Sequence, residues 1–194
     1  MFQIREAMPH EAASLAEIYV RAVDVAYRPF MPAEIVAGFT LEHQQPRWNR
    51  KLSLRHRGYR HLVAEQCGRI HGFVGTGPAT PRFSDRVGEV QSLFVTPWAS
   101  RQGIGKALLR AGMRQLAADG YNQAVLWVFW DNLPARAFYE RLGWQATPGS
   151  RRLDPELLAQ GAEVSDCQYQ QSLTNEEPVS CFLPAFSSPC VPFR

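Results

Sequence analysis

The chain has 194 residues, enough for one domain or for one domain with an appendage. Its composition, 45% hydrophobic and 20% charged, is ordinary for a globular protein and excludes global disorder. A net charge of +3 is too small to argue for nucleic-acid binding, and the sequence contains no run of about 18 apolar residues that would span a membrane. The first residues lack the apolar stretch of a secretory signal, so we expect a cytoplasmic protein without nucleic-acid or membrane partners.

Four cysteines, Cys67, Cys167, Cys181 and Cys190, are too few and too scattered for a disulfide framework. We expect free thiols, with a bridge between Cys181 and Cys190 as the alternative. Neither the cysteines nor the five histidines have the spacing of metal ligands, and no metal site is predicted.

The first half of the chain begins with a predicted strand at residues 2–5, followed by a helix at residues 9–25 with apolar residues at helical spacing. Residues 27–45 are rich in aromatic residues and proline, which favours a loop or short helices over a cleft. Residues 43–64 contain no acid and several arginines, and they suit an amphipathic helix that ends at about residue 57. Strands at residues 61–66 and 69–76 form a compact hairpin through Cys67-Gly68.

The second half alternates strands and helices. A strand at residues 87–95 precedes a helix at 103–118, and a strand at 124–129 precedes a helix at 132–142. Two last strands are predicted at residues 144–147 and 165–173. This order predicts an α/β (α+β) fold with a mixed, mostly antiparallel central sheet flanked by helices.

A change of character near residue 174 divides the chain into a domain, residues 1–173, and a C-terminal extension, residues 174–194. The extension contains four prolines and two cysteines and has no periodicity. Its apolar side chains would be a solubility liability unless they packed along a neighbouring copy, which leaves a homodimer open.

The most informative stretch joins a strand ending at Val95 to a helix that opens with Gly103-Ile104-Gly105. Such a junction aims unpaired N–H groups and the positive end of a helix dipole at one point, and glycine lets a bulky anion come close. This predicts a phosphate or pyrophosphate site, although a tight strand–helix turn is the alternative. A Walker loop is excluded because Gly105-Lys106-Ala107 lacks the magnesium-binding hydroxyl, and the glycine spacing of a Rossmann fingerprint is missing.

Two motifs together resemble the GNAT superfamily of acetyl-CoA-dependent N-acetyltransferases. The first reads Leu-Phe-Val-Thr-Pro at residues 93–97 and Ser-Arg-Gln-Gly-Ile-Gly at residues 100–105. The second reads Asn-x-x-Ala-x-x-Phe-Tyr-x-x-x-Gly-Trp at residues 132–144. The resemblance is closest in residues 87–145. It departs from the family at Ser100, where Gln or Arg is preferred, and the adjacent Arg101 and Gln102 could supply the missing donors.

The resemblance implies that the chain binds acetyl-CoA. The backbone of Phe94 and Val95 would pair with the pantetheine arm, and the amides of residues 102–106 would hold the pyrophosphate. Asn132 either contacts the pantetheine or caps its own helix. The residues assigned to acetyl-CoA are Leu93, Phe94, Val95, Arg101, Gln102, Gly103, Ile104, Gly105, Lys106, Asn132 and Ala135.

Two residues are expected to move protons. The resemblance makes Tyr139 the general acid that protonates the departing thiolate, with a core aromatic as the alternative. Glu89 is the candidate base for the amine, because a carboxylate in an apolar strand is costly unless it faces a cleft or has a partner. Strand alternation would place it on one face with Gln91, Leu93 and Val95. The alternative is an exposed strand end or an ion pair with Arg86.

The acceptor side is predicted from aromatic residues that either hold a cationic amine or fill the core, namely Tyr27, Phe30 and Trp48. The resemblance implies acetyl transfer to a primary amine by direct attack in a ternary complex, with a small-molecule amine favoured by the long aromatic segment before residue 60. The alternatives are a protein N-terminal or lysine acetyltransferase, and an acyl-CoA-binding regulatory module without catalysis.

Overall fold

A computed structural model describes residues 1–53, 58–79, 83–148, 152–153, 157, 161 and 164–173. The extension at residues 174–194, with Cys181, Cys190 and the homodimer hypothesis that depends on it, lies outside the described residues. In the described part of the chain no helix is long and apolar enough to cross a membrane. The same residues contain no group of three or more His, Cys, Asp or Glu side chains that could hold a metal ion.

One sheet forms the centre of the fold. Its strands are β1 (Gln3–Glu6), β2 (Arg60–Gln66), β3 (Arg69–Pro78), β4 (Val87–Val95), β5 (Gln123–Phe129), β6 (Gln145–Ala146), β7 (Arg152–Leu153) and β8 (Ser165–Ser172). They are arranged in the order β1-β2-β3-β4-β5-β8-β6, with β7 also paired to β8. Among the described strands, β4 and β5 are the one parallel pair. The predicted mixed, mostly antiparallel sheet is confirmed.

The described residues contain five α-helices with assigned bounds: α1 (Ala12–Tyr27), α2 (Ala33–Ala37), α3 (Leu41–Ser53), α4 (Ile104–Ala118) and α5 (Leu133–Arg141). Helices α1 and α3 cover one face of the sheet, where Leu15, Trp48 and Phe73 meet in a buried cluster. Helix α4 covers the other face, where Leu108 and Leu116 pack among the buried residues of β3, β4 and β5.

Helix α3 begins at Leu41, within the segment predicted to form a loop or short helices, and it contains Pro46. Proline in a helix interior removes one hydrogen bond and usually breaks the helix. Here the helix is held by Trp48 and Leu52, which are buried against α1 and the sheet. Tertiary packing therefore outweighs the helix-breaking effect of Pro46.

The predicted hairpin between β2 and β3 is confirmed, with Gln66 opposite Arg69. Cys67 and Gly68 have φ angles of 51° and 73°, the two positive values that a two-residue type I′ turn requires. Cys167 is a free, buried thiol as expected. Cys67 is disulfide-bonded, so the expectation of free thiols is wrong there. Its side chain lies at the exposed tip of the hairpin, where a second thiol can reach it.

A β-bulge in β4 corrects the predicted face of Glu89. Ser92 pairs with Gly75 and Val90 with Thr76, so Gln91 is an extra residue without a partner in β3. The extra residue reverses the alternation of side chains. Val90 and Leu93 therefore share the α4 face, whereas Glu89 lies on the opposite face of the sheet with Phe94.

His61 makes the folded protein sensitive to acid. Burial and the neighbouring Lys51 lower the pKa of His61 from 6.5 to about 4. The unfolded chain therefore binds this proton more tightly, and stability that is complete above the unfolded pKa is lost as the pH falls towards 4. Between pH 7.5 and pH 5 we expect the wild type to lose about 2 kcal/mol more unfolding free energy than His61→Gln, measured by urea denaturation. The matched control is His43→Gln at an exposed histidine, which should keep the wild-type pH dependence.

Candidate active site

A cleft opens where β4 and β5 separate. The two strands pair only from Val87 opposite Gln123 to Val90 opposite Leu126. Beyond that point β4 continues to Val95 and β5 to Phe129 without pairing to each other. The separation begins at the bulge, because the extra residue bends β4 away from its neighbour. The resulting cavity has a volume of about 700 Å³ and is lined by both strands, the end of α1, the start of α4 and α5.

The open edge of β4 presents backbone groups to this cleft. The Thr96 N–H donates to the His71 carbonyl in β3 at 2.8 Å. In an antiparallel strand the N–H and C=O of one residue point to the same side, and the side alternates along the chain. Val95 and Leu93 therefore direct their backbone groups away from β3 and into the gap, whereas those of Phe94 point to β3. The strand groups available to an extended ligand belong to Leu93 and Val95.

The start of α4 forms a cradle of donors at one end of the cleft. The Ala107 N–H bonds to the Gly103 carbonyl at 3.0 Å, so the preceding N–H groups of Ile104, Gly105 and Lys106 have no partner within the helix. Gly103 has a φ of 80°, a left-handed conformation that glycine adopts without strain. Gly103, Gly105 and Lys106 line the cleft, and unpaired N–H groups at a helix start bind anions.

Positive side chains gather around the same cleft. Arg101, Lys106 and Arg141 are in its lining and favour a polyanionic ligand. Ser100, the departure from the family motif, also lines the cleft, and its hydroxyl donates to the Thr96 carbonyl at 3.4 Å. The Ser100 side chain therefore stabilises the loop before the cradle. Arg101, which also lines the cleft, is the neighbouring side chain that can donate hydrogen bonds to a ligand.

Asn132 caps α5, because its side-chain oxygen accepts a hydrogen bond from the Ala135 N–H at 3.3 Å. Both residues also line the cleft. The two roles considered for Asn132 are compatible, since an amide has a second polar group left for a ligand.

Tyr139 projects from α5 into the cleft lining. The helix is fixed to β8 by Tyr169, whose hydroxyl donates to Glu140 at 2.6 Å and accepts from Arg136 at 3.1 Å. Burial raises the pKa of Tyr139, so its hydroxyl stays protonated at neutral pH. Within the described residues that hydroxyl makes no hydrogen bond, and it is therefore available to a ligand.

The far end of the cleft is aromatic and contains an acid. Tyr27 contacts Phe129 edge to face, with ring centroids 5.0 Å apart, and both line the cavity. Burial raises the pKa of Tyr27, with smaller contributions from Tyr19 and Tyr139. Asp166, on β8 opposite Phe129, is 8% exposed and carries the one carboxylate among the described residues that line the cleft. An aromatic wall with a carboxylate suits a cationic amine.

The structure does not bring five of the predicted site residues into the cleft lining: Gln102, Ile104, Glu89, Phe30 and Trp48. Ile104 is buried in the core, so only its backbone can reach a ligand, and Gln102 donates to the Trp98 carbonyl at 3.3 Å. Phe30 packs behind Tyr27, and Trp48 fills the core beside Phe73. The remaining predicted residues, Tyr27, Leu93, Phe94, Val95, Arg101, Gly103, Gly105, Lys106, Asn132, Ala135 and Tyr139, lie together along it.

Sequence reasoning missed the β5 and β8 side of the cleft. Trp127, Phe129 and Asp166 line the cavity, but none belongs to a recognisable motif. Asp166 and Gln168 belong to β8, whose sequence Ser-Asp-Cys-Gln-Tyr-Gln-Gln-Ser is mainly polar, so nothing in the sequence distinguishes them as site residues. Both are buried, and buried acids usually have a specific reason for their position.

Comparison with known proteins identifies the family. A sequence model described as "Acetyltransferase (GNAT) family" matches residues 20–144. The chain belongs to this family, and the resemblance carried by the two motifs is confirmed.

Individual GNAT relatives are similar over part or most of the chain. A mycothiol acetyltransferase from Saccharomonospora viridis is 48% identical over 89 residues, covering 43% of this chain and 29% of that protein. The chain thus spans less than a third of that relative's length. The uncharacterized N-acetyltransferase YuaI of Bacillus subtilis is 25% identical over 140 residues, covering 72% of this chain and 78% of that protein.

Solved GNAT structures share the fold at low identity. The PaiA N-acetyltransferase of Thermoplasma acidophilum, solved in complex with coenzyme A, has a TM-score of 0.69 and 18% identity, covering 89% of this chain and 99% of that one. The similarity covers most of the chain, in agreement with the fold class.

Proposed function

We propose that this GNAT protein is an N-acetyltransferase that moves an acetyl group from acetyl-CoA to a primary amine of a small molecule. The observation that carries the proposal is the cleft between the separated halves of β4 and β5, with an anion cradle at one end and an aromatic, acidic wall at the other. The coenzyme A complex of the PaiA relative supports the choice of donor. The size of the cleft also fits, since its volume of about 700 Å³ lies in the range of sites for drug-sized ligands.

The donor is held by backbone groups. The free N–H groups at the start of α4 bind the pyrophosphate, aided by Arg101 and Lys106. The pantetheine amides pair with Leu93 and Val95 as an added strand segment, which places the thioester near the bulge. A backbone N–H of this segment polarises the thioester oxygen and stabilises the charge that develops there during attack.

Acetyl transfer then requires proton movements at the amine nitrogen and at the departing sulfur. The neutral amine attacks the thioester carbon, the new C–N bond forms, and the C–S bond breaks with release of the thiolate. Tyr139 donates its hydroxyl proton to that sulfur. Before the attack, the ammonium loses one proton to water that Glu89 orders, since Glu89 itself lies on the α1 face of β4, outside the cleft lining. After the attack, the nitrogen releases a second proton, which restores the Tyr139 hydroxyl, so that the amide and the free thiol are the products.

A small acceptor is supported by two observations. The mycothiol acetyltransferases that match this chain are named for a small-molecule product. The acceptor end of the cleft is bordered by the end of α1 and by Tyr27 and Phe129, with Phe30 and Phe39 packed behind them, and this aromatic wall suits a small cationic amine. Asp166 and Tyr27 would hold the ammonium before it is deprotonated.

The proposal is tested by incubating the protein with acetyl-CoA and a panel of small amines, amino acids and N-terminal peptides. We expect mass spectrometry to find an acetylated small amine, with thiol release in equal amount. Acetylated peptides alone would replace the small-molecule acceptor by a protein terminus. Tight coenzyme A binding without thiol release from any amine would favour the non-catalytic acyl-CoA-binding module instead.

Glu89→Gln separates a role in chemistry from a role in folding. If Glu89 orders the water that accepts the amine proton, the amide should lower kcat about tenfold or more and leave the dissociation constant of acetyl-CoA within about twofold. The effect should shrink as the pH approaches the pKa of the free amine, because less acceptor then needs deprotonation. Unchanged kcat, or loss of acetyl-CoA binding, would count against this role. Glu42→Gln, the same change at an exposed acid of α3 that does not line the cleft, is the matched control and should keep the wild-type kcat.

A further inference from the structure

A second cavity lies on the other side of the turn that separates β4 from the cradle. It has a volume of about 540 Å³ and is enclosed by the first turns of α1, the start of β3 and the segment from Thr96 to Trp98. We call it the α1 groove. Along the shared turn, Thr96 and Trp98 line the α1 groove, whereas Pro97 and Ala99 line the cleft. The two cavities are therefore separate, with one short segment of chain as the wall between them.

The lining of the α1 groove includes two residues whose buried polar atoms lack partners among the described residues. Thr96 is 1% exposed, and its hydroxyl makes no hydrogen bond with the described residues. The Nδ1 atom of His71 is also buried and also lacks a partner there. An unsatisfied buried polar group is destabilising, and native proteins contain few of them. Two of the seven such atoms among the described residues belong to residues of this one cavity, where a ligand can supply hydrogen bonds.

The walls of the α1 groove carry exposed charged side chains of both signs that form no ion pair with one another. Glu17 and Arg21 lie one turn apart on α1, and Arg69 lies across the groove at the start of β3. None of the three forms an ion pair with a described residue, and Arg21 instead stacks over Trp98, with its guanidinium carbon 5.2 Å from the ring centre. Glu11, by contrast, is already engaged by Arg5.

We propose that the α1 groove binds a small zwitterion of the amino-acid class. The ligand's carboxylate lies between Arg21 and Arg69, and its ammonium group faces Glu17. A polar group of the ligand reaches the Thr96 hydroxyl and the Nδ1 atom of His71. Guanidinium groups suit a carboxylate because their fork of N–H donors matches its two oxygens. A ligand with one charge alone would leave either the acid or the two arginines unmatched. The proposal does not depend on acetyl transfer, because the groove shares no lining residue with the cleft.

The test is calorimetric titration of the full chain with each standard amino acid, without acetyl-CoA. We expect at least one to bind with one molecule per chain. Its affinity should fall at least tenfold in Arg69→Gln and in Thr96→Val. Arg114→Gln, at an exposed arginine on α4 that lines neither cavity, is the matched control and should bind as the wild type does. Acetate and methylamine, each carrying one charge, should bind far more weakly than the amino acid.

Three results would overturn the proposal: no binding of any amino acid to the folded protein, binding that survives both groove variants, or binding that is lost in Asp166→Asn while Arg69→Gln retains it. The last result would place the amino acid at the acceptor end of the cleft. Thr96→Val also has a readout in the absence of ligand. Because it removes an unsatisfied hydroxyl without changing the shape of the side chain, its Tm should equal or exceed that of the wild type. If that variant does not fold, Arg69→Gln at an exposed position still decides the question.

Discussion

Gly105→Glu should abolish acetyl-CoA binding and leave the fold intact. A Cβ at residue 105 would meet only ordinary contacts, with Phe138 at 3.6 Å and Val95 at 3.7 Å. The rest of the side chain enters the cleft, where its carboxylate faces the phosphates. Because opposed like charges cost several kcal/mol, the dissociation constant should rise by a factor of about 100 or more. Isothermal titration with acetyl-CoA measures it.

The same substitution should not lower the free energy of unfolding. Glycine in a helix is less stable than glutamate by about 0.5–1 kcal/mol, and an acid in the first turn interacts favourably with the helix dipole. We therefore expect Gly105→Glu to be at least as stable as the wild type in the absence of ligand. Ala118→Glu, which adds the same charge at the exposed far end of α4, is the matched control and should retain acetyl-CoA affinity. Wild-type affinity in Gly105→Glu would remove the pyrophosphate from the start of α4.

Tyr139→Phe should lower kcat by about two orders of magnitude or more, the range expected when a general acid is removed. The substitution deletes one hydroxyl and keeps the ring that contacts Phe138, Trp144 and Tyr169. Because that hydroxyl makes no hydrogen bond within the described residues, neither the Tm nor the affinity for acetyl-CoA should change appreciably. Steady-state kinetics with direct titration of acetyl-CoA separates the loss in kcat from any loss in binding.

A tyrosine outside the cleft provides the control for Tyr139. Tyr121 packs on the α4 face of the sheet and does not line the cavity, so Tyr121→Phe should keep the wild-type kcat. Since burial raises the pKa of Tyr139, its ionisation should add no inflection to the kcat profile between about pH 6 and 9. Unchanged turnover in Tyr139→Phe would remove the residue from the mechanism.

The sequence predicted those parts of the fold that local signals specify. Periodicity, the Cys67-Gly68 turn and the glycines at the start of α4 each act within a few residues, and each appears in the structure as expected. The motifs identified the family because they encode the cradle and the helix that carries Tyr139. The start of α3 at Leu41 could not be read from local signals, because the helix continues through Pro46 only with the burial of Trp48, which involves residues distant in the chain.

The part of the candidate site assigned to acetyl-CoA could be predicted from the sequence, whereas most of the part assigned to the amine could not. A site for acetyl-CoA that is built from a strand edge and a helix start can be recognised in the sequence, because those backbone geometries need particular residues. The face of Glu89 was wrong because one extra residue, Gln91, breaks strict alternation, and no feature of its own sequence reveals a bulge. The contributions of Phe129 and Asp166 depend on the pairing of β5 with β8, which brings together residues far apart in the chain.

The separation of β4 from β5 has a consequence for the lifetime of the protein. Without acetyl-CoA, the chain carries an unfinished strand edge inside its own sheet, at Leu93 and Val95. Unpaired edges are places where strands from other chains attach and where local opening begins. A ligand that completes the edge also stabilises the folded state by mass action. The amount of this protein that survives proteolysis and aggregation should therefore follow the supply of acetyl-CoA, so that starvation for the donor removes the protein as well as its activity.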